Sequence, residues 1–385
     1  MLPTTADIVI IGGGCMGASV AYHLAARHAG KIILLEREKF LAMGSTGRNA
    51  GGVRYQFSTP VNIHLSNYSL DVIARFQEIF GVSADYHPLG YLFLLTQPRE
   101  AENFQKNIAL QKALGVHDVT FLEPDDIARL VPLVNLEGVI GGSICPRDGI
   151  ADPYTVTQAF ASAARQRGAL VETETNVVGI ETQGGRVARV NTDKGDIETR
   201  VVVNCAGPWA AKIGAMVGLD IPIVPLRRQF FITDAIPEIP RHHPFVIEFT
   251  TSLYFHPDHP GLLVGMSNKN ETPSETYAID HAFHLEMLER AIYRLPLLEN
   301  ARVVKHVAGL YEATPDAHPI LGEARDVRGF YNCAGFSGHG FQHSPAAGKV
   351  LSEMILDGAA KTIDVSMLDL ERFREGRPIL EHNVV

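Results

Sequence analysis

The chain has 385 residues, of which 46% are hydrophobic and 20% are charged, and its formal net charge at pH 7 is −9. This length exceeds that of one ordinary hydrophobic core, so we expect two domains. The negative charge, with no run of basic residues to oppose it, argues against a nucleic acid as a partner.

The first predicted elements form one continuous pattern. An apolar run over residues 8–11 is followed by a glycine-rich turn, a helix-forming segment over 18–27 and a second apolar run over 32–35. Strand, glycine turn, helix and strand in this order are typical of a dinucleotide-binding βαβ unit. In such a unit Gly12 permits the tight turn, Gly14 admits a pyrophosphate to the helix N-terminus, and Gly17 lets the helix pack against the strand.

An acidic residue completes this pattern. Glu36 stands nineteen residues after Gly17, directly after the second apolar run. A carboxylate in this place accepts hydrogen bonds from ribose hydroxyls and repels a 2′-phosphate. The segment therefore disfavours NADP and leaves FAD and NAD open.

Later segments predict further helices and strands. Helical spacing of apolar residues, or an uninterrupted apolar run, predicts helices over 71–80, 98–114, 153–167 and 283–295 and strands over 91–95, 169–172 and 201–207. Asp152 is the expected N-cap of the third of these helices. A hairpin turn at 184–185 joins two further strands, and short apolar runs between 221 and 265 predict an antiparallel sheet.

The cysteines and the apolar stretches exclude other classes. Cys15, Cys145, Cys205 and Cys333 form neither a C-x-x-C pair nor a metal-ligand spacing, so we expect buried, reduced thiols and no metal site. No apolar stretch reaches the roughly 20 residues of a membrane span, and no basic segment precedes the first one. We expect a cytoplasmic protein without a transmembrane segment.

Five further motifs give the chain a family likeness. They lie at residues 44–54, 148–153, 204–209, 309–316 and 335–341. With these motifs in this order, the sequence resembles the amine- and amino-acid-oxidising flavoproteins of the D-amino-acid oxidase superfamily. Within it, the chain is most similar to the β-subunits of sarcosine oxidase and of dye-linked proline dehydrogenase, and to glycine oxidase. The resemblance favours FAD over NAD.

The resemblance also implies which residues contact FAD. They are Gly12, Gly14, Cys15, Met16, Gly17, Glu36, Arg37, Ser45, Thr46, Asn49, Ala50, Gly51, Gly52, Val177, Ala206, Gly207, Trp209, Gly309, Gly338, His339, Gly340, Phe341 and Gln342. The backbone N–H groups of residues 338–341 are expected to point at the flavin N1–C2=O locus. Negative charge gathers there in the reduced flavin, so these donors favour reduction.

Together the patterns and the resemblance predict an α/β plus antiparallel-β fold. It combines a Rossmann-like FAD-binding domain of the glutathione-reductase type with a β-rich substrate domain. We assign residues 1–84, 145–215 and 300–365 to the FAD-binding domain and residues 85–144 and 216–299 to the substrate domain. Residues 366–385 are expected to form a C-terminal tail.

Three residues are the expected catalytic group. Arg54 matches the family arginine that holds the substrate carboxylate, although an arginine more often forms a surface ion pair. Tyr254 matches an aromatic strand residue of the substrate pocket, with a core tyrosine as the alternative. His339 is a candidate proton relay, or a residue that only holds its glycine loop. Hydride transfer to flavin N5 needs no general base, since it mainly requires an oriented, neutral amine.

Departures from the family pattern refine these expectations. Gly309 replaces the cysteine that attaches FAD in monomeric sarcosine oxidases, so we expect non-covalent FAD. Gln342 replaces a lysine that helps to hold the carboxylate, and Leu263 replaces the lysine that promotes oxygen attack. The second change favours a dehydrogenase over an oxidase. No histidine accompanies residues 151–153, which argues against covalent FMN.

The expected function is oxidation of the C–N bond of a small amino acid, with a secondary or N-methylated amine favoured, followed by imine hydrolysis. A flavin dehydrogenase of a 2-hydroxy acid or of glycerol phosphate is the alternative enzyme, although the sequence shows no second cluster of cations. An FAD-holding β-subunit of a hetero-oligomeric dehydrogenase is the third possibility. A homo-oligomer and a partner subunit both stay open.

Overall fold

The computed structural model describes residues 2–384. Within them the helices are α1 (Cys15–Ala26), α2 (Pro60–Ala74), α3 (Phe76–Phe80), α4 (Pro98–Ala113), α5 (Pro124–Leu130), α6 (Pro153–Gln166), α7 (Ala210–Ala215), α8 (His281–Arg294), α9 (Gly340–Asp357) and α10 (Glu371–Arg374). The strands are β1 (Ile8–Ile11), β2 (Ile32–Leu35), β3 (Gly52–Val53), β4 (Tyr91–Leu95), β5 (Thr120–Leu122), β6 (Gly141–Cys145), β7 (Gly149–Ile150), β8 (Leu170–Glu172), β9 (Val177–Gln183), β10 (Arg186–Thr192), β11 (Gly195–Glu198), β12 (Val201–Asn204), β13 (Val224–Thr233), β14 (Phe245–Glu248), β15 (Leu253–Asp258), β16 (Gly261–Met266), β17 (Val303–Ala313), β18 (Ile320–Glu323) and β19 (Phe330–Ala334).

The first strand lies inside a six-stranded sheet of order β18-β19-β12-β1-β2-β8. Strand β18 is antiparallel to its neighbour, and the other five strands are parallel. Ile8 and Ile10 belong to a core that also contains residues of α1, α6 and α9, whereas Val9 and Ile11 belong to a second core that includes the three-stranded sheet β11-β10-β9. Because both faces are covered, the parallel strands are apolar throughout.

A second, eight-stranded sheet has the order β17-β13-β16-β15-β14-β4-β6-β5. All its pairings are antiparallel except that of β14 with β4. The predicted fold class, a parallel Rossmann-like sheet with antiparallel sheets, is confirmed. One segment lies in the other sheet, however. Residues 303–313 were assigned to the FAD-binding part, but they pair with β13 over ten positions from Val224 to Thr233.

Most predicted elements are observed with small shifts at their ends, and Asp152 caps α6 by accepting from Tyr154 N and Thr155 N. Residues 71–74 and 76–80 are helical as predicted, but they belong to two helices rather than one. Helix α2 begins already at Pro60 and ends before Arg75, and the short α3 follows. Pro60 fits the first helical turn, where a missing N–H costs nothing. The core contacts of Val61 and Ile63 then stabilise the earlier start.

The last described residues pack on the body of the protein rather than leaving it as a free tail. Arg372 and Asp316 form an ion pair whose side chains are both fully buried. All four cysteines are free and buried, as predicted. Of the helices in residues 2–384, none is long and apolar enough to cross a membrane.

Candidate functional site

A cavity of about 420 Å³ opens at the carboxyl ends of β1, β2 and β12. We call it the nucleotide cavity, because open parallel sheets bind ligands at this edge. Seventeen of the predicted cofactor residues line it: Gly12, Gly14, Cys15, Met16, Glu36, Arg37, Ser45, Thr46, Asn49, Val177, Ala206, Gly207, Trp209, Gly309, Gly338, Gly340 and Phe341. The structure therefore brings together motifs that are more than 300 residues apart in the chain.

The turn between β1 and α1 requires glycine at two positions. Gly12 has a φ of +113°, and a Cβ there would lie 2.3 Å from the oxygen of Cys205. A Cβ at Gly17 would lie 1.9 Å from the oxygen of Gly12, so the helix approaches the strand as predicted. Gly17 itself does not line the cavity. Gly14, the N-cap residue of α1, has no capping side chain and the first turn carries no acid, which leaves a positive dipole end for a pyrophosphate.

The carboxylate of Glu36 lies at the rim of the same turn. Its Oε2 accepts from Gly13 N at 2.6 Å and its Oε1 accepts from Glu38 N at 2.9 Å. Burial raises its pKa above the ordinary value, against the lowering effect of these two hydrogen bonds. Glu36 thus orders the phosphate turn in addition to facing the place where a ribose would lie.

Segment 44–54 forms the second wall. Ser45 Oγ donates to Leu310 O at 2.6 Å, and Thr46 Oγ1 accepts from Cys15 N at 3.2 Å. Asn49 Nδ2 donates to Thr46 O, and its Oδ1 accepts from Gly51 N. These bonds fix the segment, which contains a short 3-10 helix over Ser45–Arg48, along the cavity. Gly51 does not line the nucleotide cavity, and a Cβ there would lie 2.7 Å from the oxygen of Ala151.

The predicted glycine loop at 338–341 is in fact the start of a helix. Helix α9 begins at Gly340, with His339 as its N-cap residue, no capping side chain and no acid in its first turn. Gly338, Gly340 and Phe341 line the nucleotide cavity. The helix dipole therefore adds to the backbone N–H donors that the sequence predicted near the reduced flavin.

A smaller cavity of about 110 Å³ adjoins the first, and we call it the inner cavity. Six residues line both cavities, namely Arg48, Asn49, Arg228, Tyr311, Gly338 and Phe341. All three predicted catalytic residues, Arg54, Tyr254 and His339, line the inner cavity. The predicted cofactor residues that line it and not the nucleotide cavity are Ala50, Gly52, His339 and Gln342. An outer cavity of about 500 Å³ lies next to it.

Arg54 is a buried cation that is partly engaged by the main chain. Its Nη1 donates to Gln56 O and its Nη2 donates to Asn383 O, both at 2.5 Å. The guanidinium lies over the ring of Phe57 at 4.1 Å, and its backbone N–H donates to the side chain of Gln342. An arginine carries five N–H donors, so donors remain for a substrate carboxylate.

The sequence analysis missed a second cation at this site. Arg228 lines all three cavities, its Nη1 donates to Arg227 O at 3.0 Å, and its buried Nε has no hydrogen-bond partner among the residues the structure describes. It lies 4.9 Å over the ring of Tyr311. With Arg48, three arginines line the inner cavity. The sequence shows no second cluster of cations, but the structure brings these three arginines to one cavity. Arg48 and Arg54 come from segment 44–54, whereas Arg228 comes from β13, so no single motif shows the whole cluster.

The histidine and the tyrosine of the inner cavity are held neutral. Burial, followed by repulsion from Arg54, lowers the pKa of His339 to about 3, and its Nε2 lies 3.1 Å from Ala317 O. Burial also raises the pKa of Tyr254. A histidine of such low basicity is a poor store for a proton at neutral pH.

Glu312 is a second residue that the motifs did not single out. It lines the nucleotide cavity, its Oε1 accepts from Phe336 N at 3.3 Å, and its Oε2 finds no partner within residues 2–384. Burial raises the pKa of this carboxyl from 4.5 to about 7. An unpartnered buried polar atom beside a cavity indicates a ligand that supplies the missing partner.

These features suit FAD. The uncapped end of α1 fits the diphosphate, Glu36 fits the ribose, and the start of α9 fits the electron-rich edge of the flavin. When bound, FAD supplies the two-electron acceptor of the site. The inner cavity is then the place beside it where a small substrate fits.

Comparison with known proteins agrees with this assignment. A family model described as FAD dependent oxidoreductase (DAO) matches residues 7–354. The mitochondrial dimethylglycine dehydrogenase of Mus musculus is 32% identical over 96% of this chain and 44% of its own length, and the sarcosine dehydrogenase of the same species is 33% identical over 97% and 42%. The chain thus spans less than half the length of these curated relatives.

Solved structures show the same fold. L-proline dehydrogenase from P. horikoshii is 34% identical with a TM-score of 0.91, over 98% of this chain and 100% of that one. Glycine oxidase from Geobacillus kaustophilus is 24% identical with a TM-score of 0.85, over 96% and 99%, and supports the fold alone. From the matched family model and these relatives, the chain belongs to the FAD dependent oxidoreductases of the DAO family.

Proposed function

We propose that this protein oxidises the C–N bond of a small amino acid, with a secondary or N-methylated amine favoured, by hydride transfer to flavin N5. The observation that carries the proposal is the inner cavity. It is small, it adjoins the nucleotide cavity, and its wall combines buried arginines with aromatic rings. The relatives named for dimethylglycine, sarcosine and proline support this substrate class.

In this proposal Arg54 and Arg228 together bind the substrate carboxylate. A buried carboxylate needs a cation and several donors, and a planar guanidinium meets both needs. Arg54 keeps donors beyond its two main-chain bonds, and the Nε of Arg228 is unpartnered. Gln342 contributes by accepting from Arg54 N, which fixes the backbone at the clamp.

The same cations prepare the amine. Hydride leaves a carbon next to nitrogen only when the nitrogen lone pair is free, so the bound amine must be neutral. Positive guanidinium groups nearby disfavour an ammonium form and lower the amine pKa. No strong base is needed beside the substrate, which agrees with the low pKa of His339. Tyr254 is proposed to pack against the substrate through its ring.

We propose further that FAD is bound without a covalent link and that the enzyme is a dehydrogenase. A Cβ at Gly309 would already lie 2.9 Å from Arg48 O, so the position suits glycine. Leu263 is a buried strand residue where the sequence analysis looked for an oxygen-activating lysine. The six-stranded sheet is proposed to carry FAD, and the eight-stranded sheet to supply seven of the residues that line the inner cavity.

The test is anaerobic reduction of the purified holoenzyme by a substrate panel. Sarcosine, dimethylglycine, proline and glycine are compared with lactate and glycerol 3-phosphate, and loss of the oxidised-flavin absorption is followed. We expect secondary amino acids to reduce the flavin fastest. If only lactate or only glycerol 3-phosphate reduces the flavin, the alternative flavin dehydrogenase replaces this proposal. The three arginines that line the inner cavity give that alternative some support.

A second measurement separates a dehydrogenase from an oxidase and from a silent subunit. The reduced protein is mixed with air-saturated buffer or with an artificial dye acceptor, and the rate of reoxidation is compared. Faster reoxidation by the dye supports a dehydrogenase. A protein that retains FAD and yet is reduced by no member of the panel would support an FAD-holding β-subunit instead.

A further inference from the structure

Residues 379–384, which we call the C-terminal segment, lie against the inner cavity. We propose that this segment forms a wall of the substrate site, with Glu381 as the residue that positions it and Val384 as a residue that sets substrate size. The inference rests on the proposed function, since it takes the inner cavity to be the substrate site.

Glu381 anchors the segment from within. Its side chain is only 8% exposed, although it is a carboxylate. Oε1 accepts from Ser58 N, Ser58 Oγ and Asn383 N at 2.7, 2.5 and 3.1 Å. Oε2 accepts from Thr59 Oγ1 and Asn62 Nδ2, both at 2.9 Å. Five donors satisfy this buried carboxylate, and four of them, from residues 58–62, tie the segment to the start of α2.

The ionised form of this carboxylate is the stable one. Burial raises its pKa, but the hydrogen bonds from Ser58 and Asn62 outweigh burial, and the pKa is lowered overall. A buried anion with so many donors is expensive to disturb, because each donor would lose its partner. The anchor therefore holds its geometry rather than exchanging among several arrangements.

The anchored segment in turn orients Arg54. The oxygen of Asn383 accepts from Arg54 Nη2 at 2.5 Å, and Asn383 is only 1% exposed. Asn107 Nδ2 donates to Asn383 Oδ1 at 3.1 Å, which fixes the residue from a second side. The proposed carboxylate clamp thus has one of its two main-chain contacts in the C-terminal segment.

Val384 lies where the inner and outer cavities meet. Among residues 2–384, four line both of these cavities, namely Arg228, Tyr311, Ser337 and Val384. Of the four, Val384 alone is an aliphatic side chain, and it directly follows the anchored Asn383. An apolar side chain at this junction narrows the space for any group that a substrate carries towards the outer cavity.

The test uses the holoenzyme with Val384→Ala and Val384→Phe, and Leu380→Ala as the matched control. Leu380 lies in the same segment but is 57% exposed and lines none of the three cavities. Acetate, propionate and benzoate are titrated, and dissociation constants are read from the perturbed flavin absorption. The same variants are run through the amine panel, where the second-order rates of flavin reduction are compared.

We expect Val384→Ala to improve the affinity for benzoate relative to acetate about fourfold. Val384→Phe should weaken the same relative affinity by roughly tenfold, because a change of a few methyl groups in a pocket changes binding on this scale. Leu380→Ala should behave as the wild type. An unchanged ranking of the carboxylates in both Val384 variants would overturn the inference. If no amine reduces the wild-type flavin, the proposed function fails, whereas a shifted carboxylate ranking still supports the wall.

Glu381→Gln tests the positioning role. The variant keeps the size of the side chain but loses the charge and half of the acceptor capacity, so the segment and Arg54 should lose their fixed geometry. We expect KM for the best amine to rise by about tenfold or more while kcat changes less, since the clamp binds substrate and transition state alike. Equal falls in kcat and kcat/KM, with KM unchanged, would contradict positioning of a carboxylate clamp.

Discussion

Replacement of Arg228 by alanine separates the two arginines of the inner cavity. The only hydrogen bond of the Arg228 guanidinium within the described residues is Nη1 to Arg227 O, and its remaining contact is the ring of Tyr311. Losing these costs about 1–2 kcal/mol of folding stability. Removing the buried, unpartnered Nε relieves a penalty of about 1–3 kcal/mol. The net change in the free energy of unfolding should therefore be close to zero.

Substrate binding should change far more. A charge-assisted hydrogen bond to a carboxylate contributes about 1.5–3 kcal/mol, and Arg54 remains to hold part of the charge. At 1.4 kcal/mol per tenfold, Arg228→Ala should lower the second-order rate of flavin reduction by about 10- to 150-fold. Arg54→Ala should lower it by roughly two to three orders of magnitude, because it also frees Asn383 O and the C-terminal segment.

The assay is anaerobic stopped-flow reduction of the holoenzyme, with thermal unfolding measured in parallel. Arg227→Ala is the matched control. Arg227 adjoins Arg228 in the same strand, but it pairs with Glu271 and Asp280 and lines none of the three cavities. It should lower the unfolding temperature and leave the reduction rate unchanged. A reduction rate in Arg228→Ala equal to that of the wild type would refute the carboxylate role of Arg228.

Three further outcomes follow from the nucleotide cavity. Glu36→Ala removes the acceptor of Gly13 N together with a ribose contact, so FAD should dissociate about 10- to 150-fold more readily. Unchanged flavin content at high dilution would argue against that contact. Because the pKa of Glu312 is raised to about 7, its carboxyl is neutral below this pH and charged above it. Its contribution to the stability of the apoprotein is therefore fully present below pH 4.5 and is lost as the pH rises through about 7. The charged form repels the FAD diphosphate, so FAD affinity should fall roughly three- to tenfold over the same rise, and Glu312→Gln should abolish this dependence. Acid precipitation of the holoenzyme should release all flavin to the supernatant, and yellow colour retained in the pellet would contradict non-covalent binding.

Local pattern explains why so much of the nucleotide site could be predicted. The turn at Gly12, the acid at Glu36 and the apolar strands on either side lie within thirty residues, and each has a steric or electrostatic reason visible in the sequence. The resemblance then supplied the distant motifs, and the structure places nearly all of them around one cavity. The helix predicted from residue 71 begins earlier, at Pro60, because core packing of the residues after Pro60 outweighed local periodicity.

The sequence by itself determined the dinucleotide turn, because short-range spacing and apolar runs record it. Its resemblance to a known family, together with these patterns, implied the fold class and the residues expected around FAD. Only the tertiary structure decided which charges meet at the inner cavity. Arg54 and Asn383 are 329 residues apart, and Ser58 and Glu381 are 323 apart, yet both pairs are hydrogen-bonded. Likewise, the Nε of Arg228 and the Oε2 of Glu312 lack hydrogen-bond partners within residues 2–384 because of how the surrounding segments pack. No local pattern encodes such contacts, since they arise only when the two sheets and the C-terminal segment close on the same space.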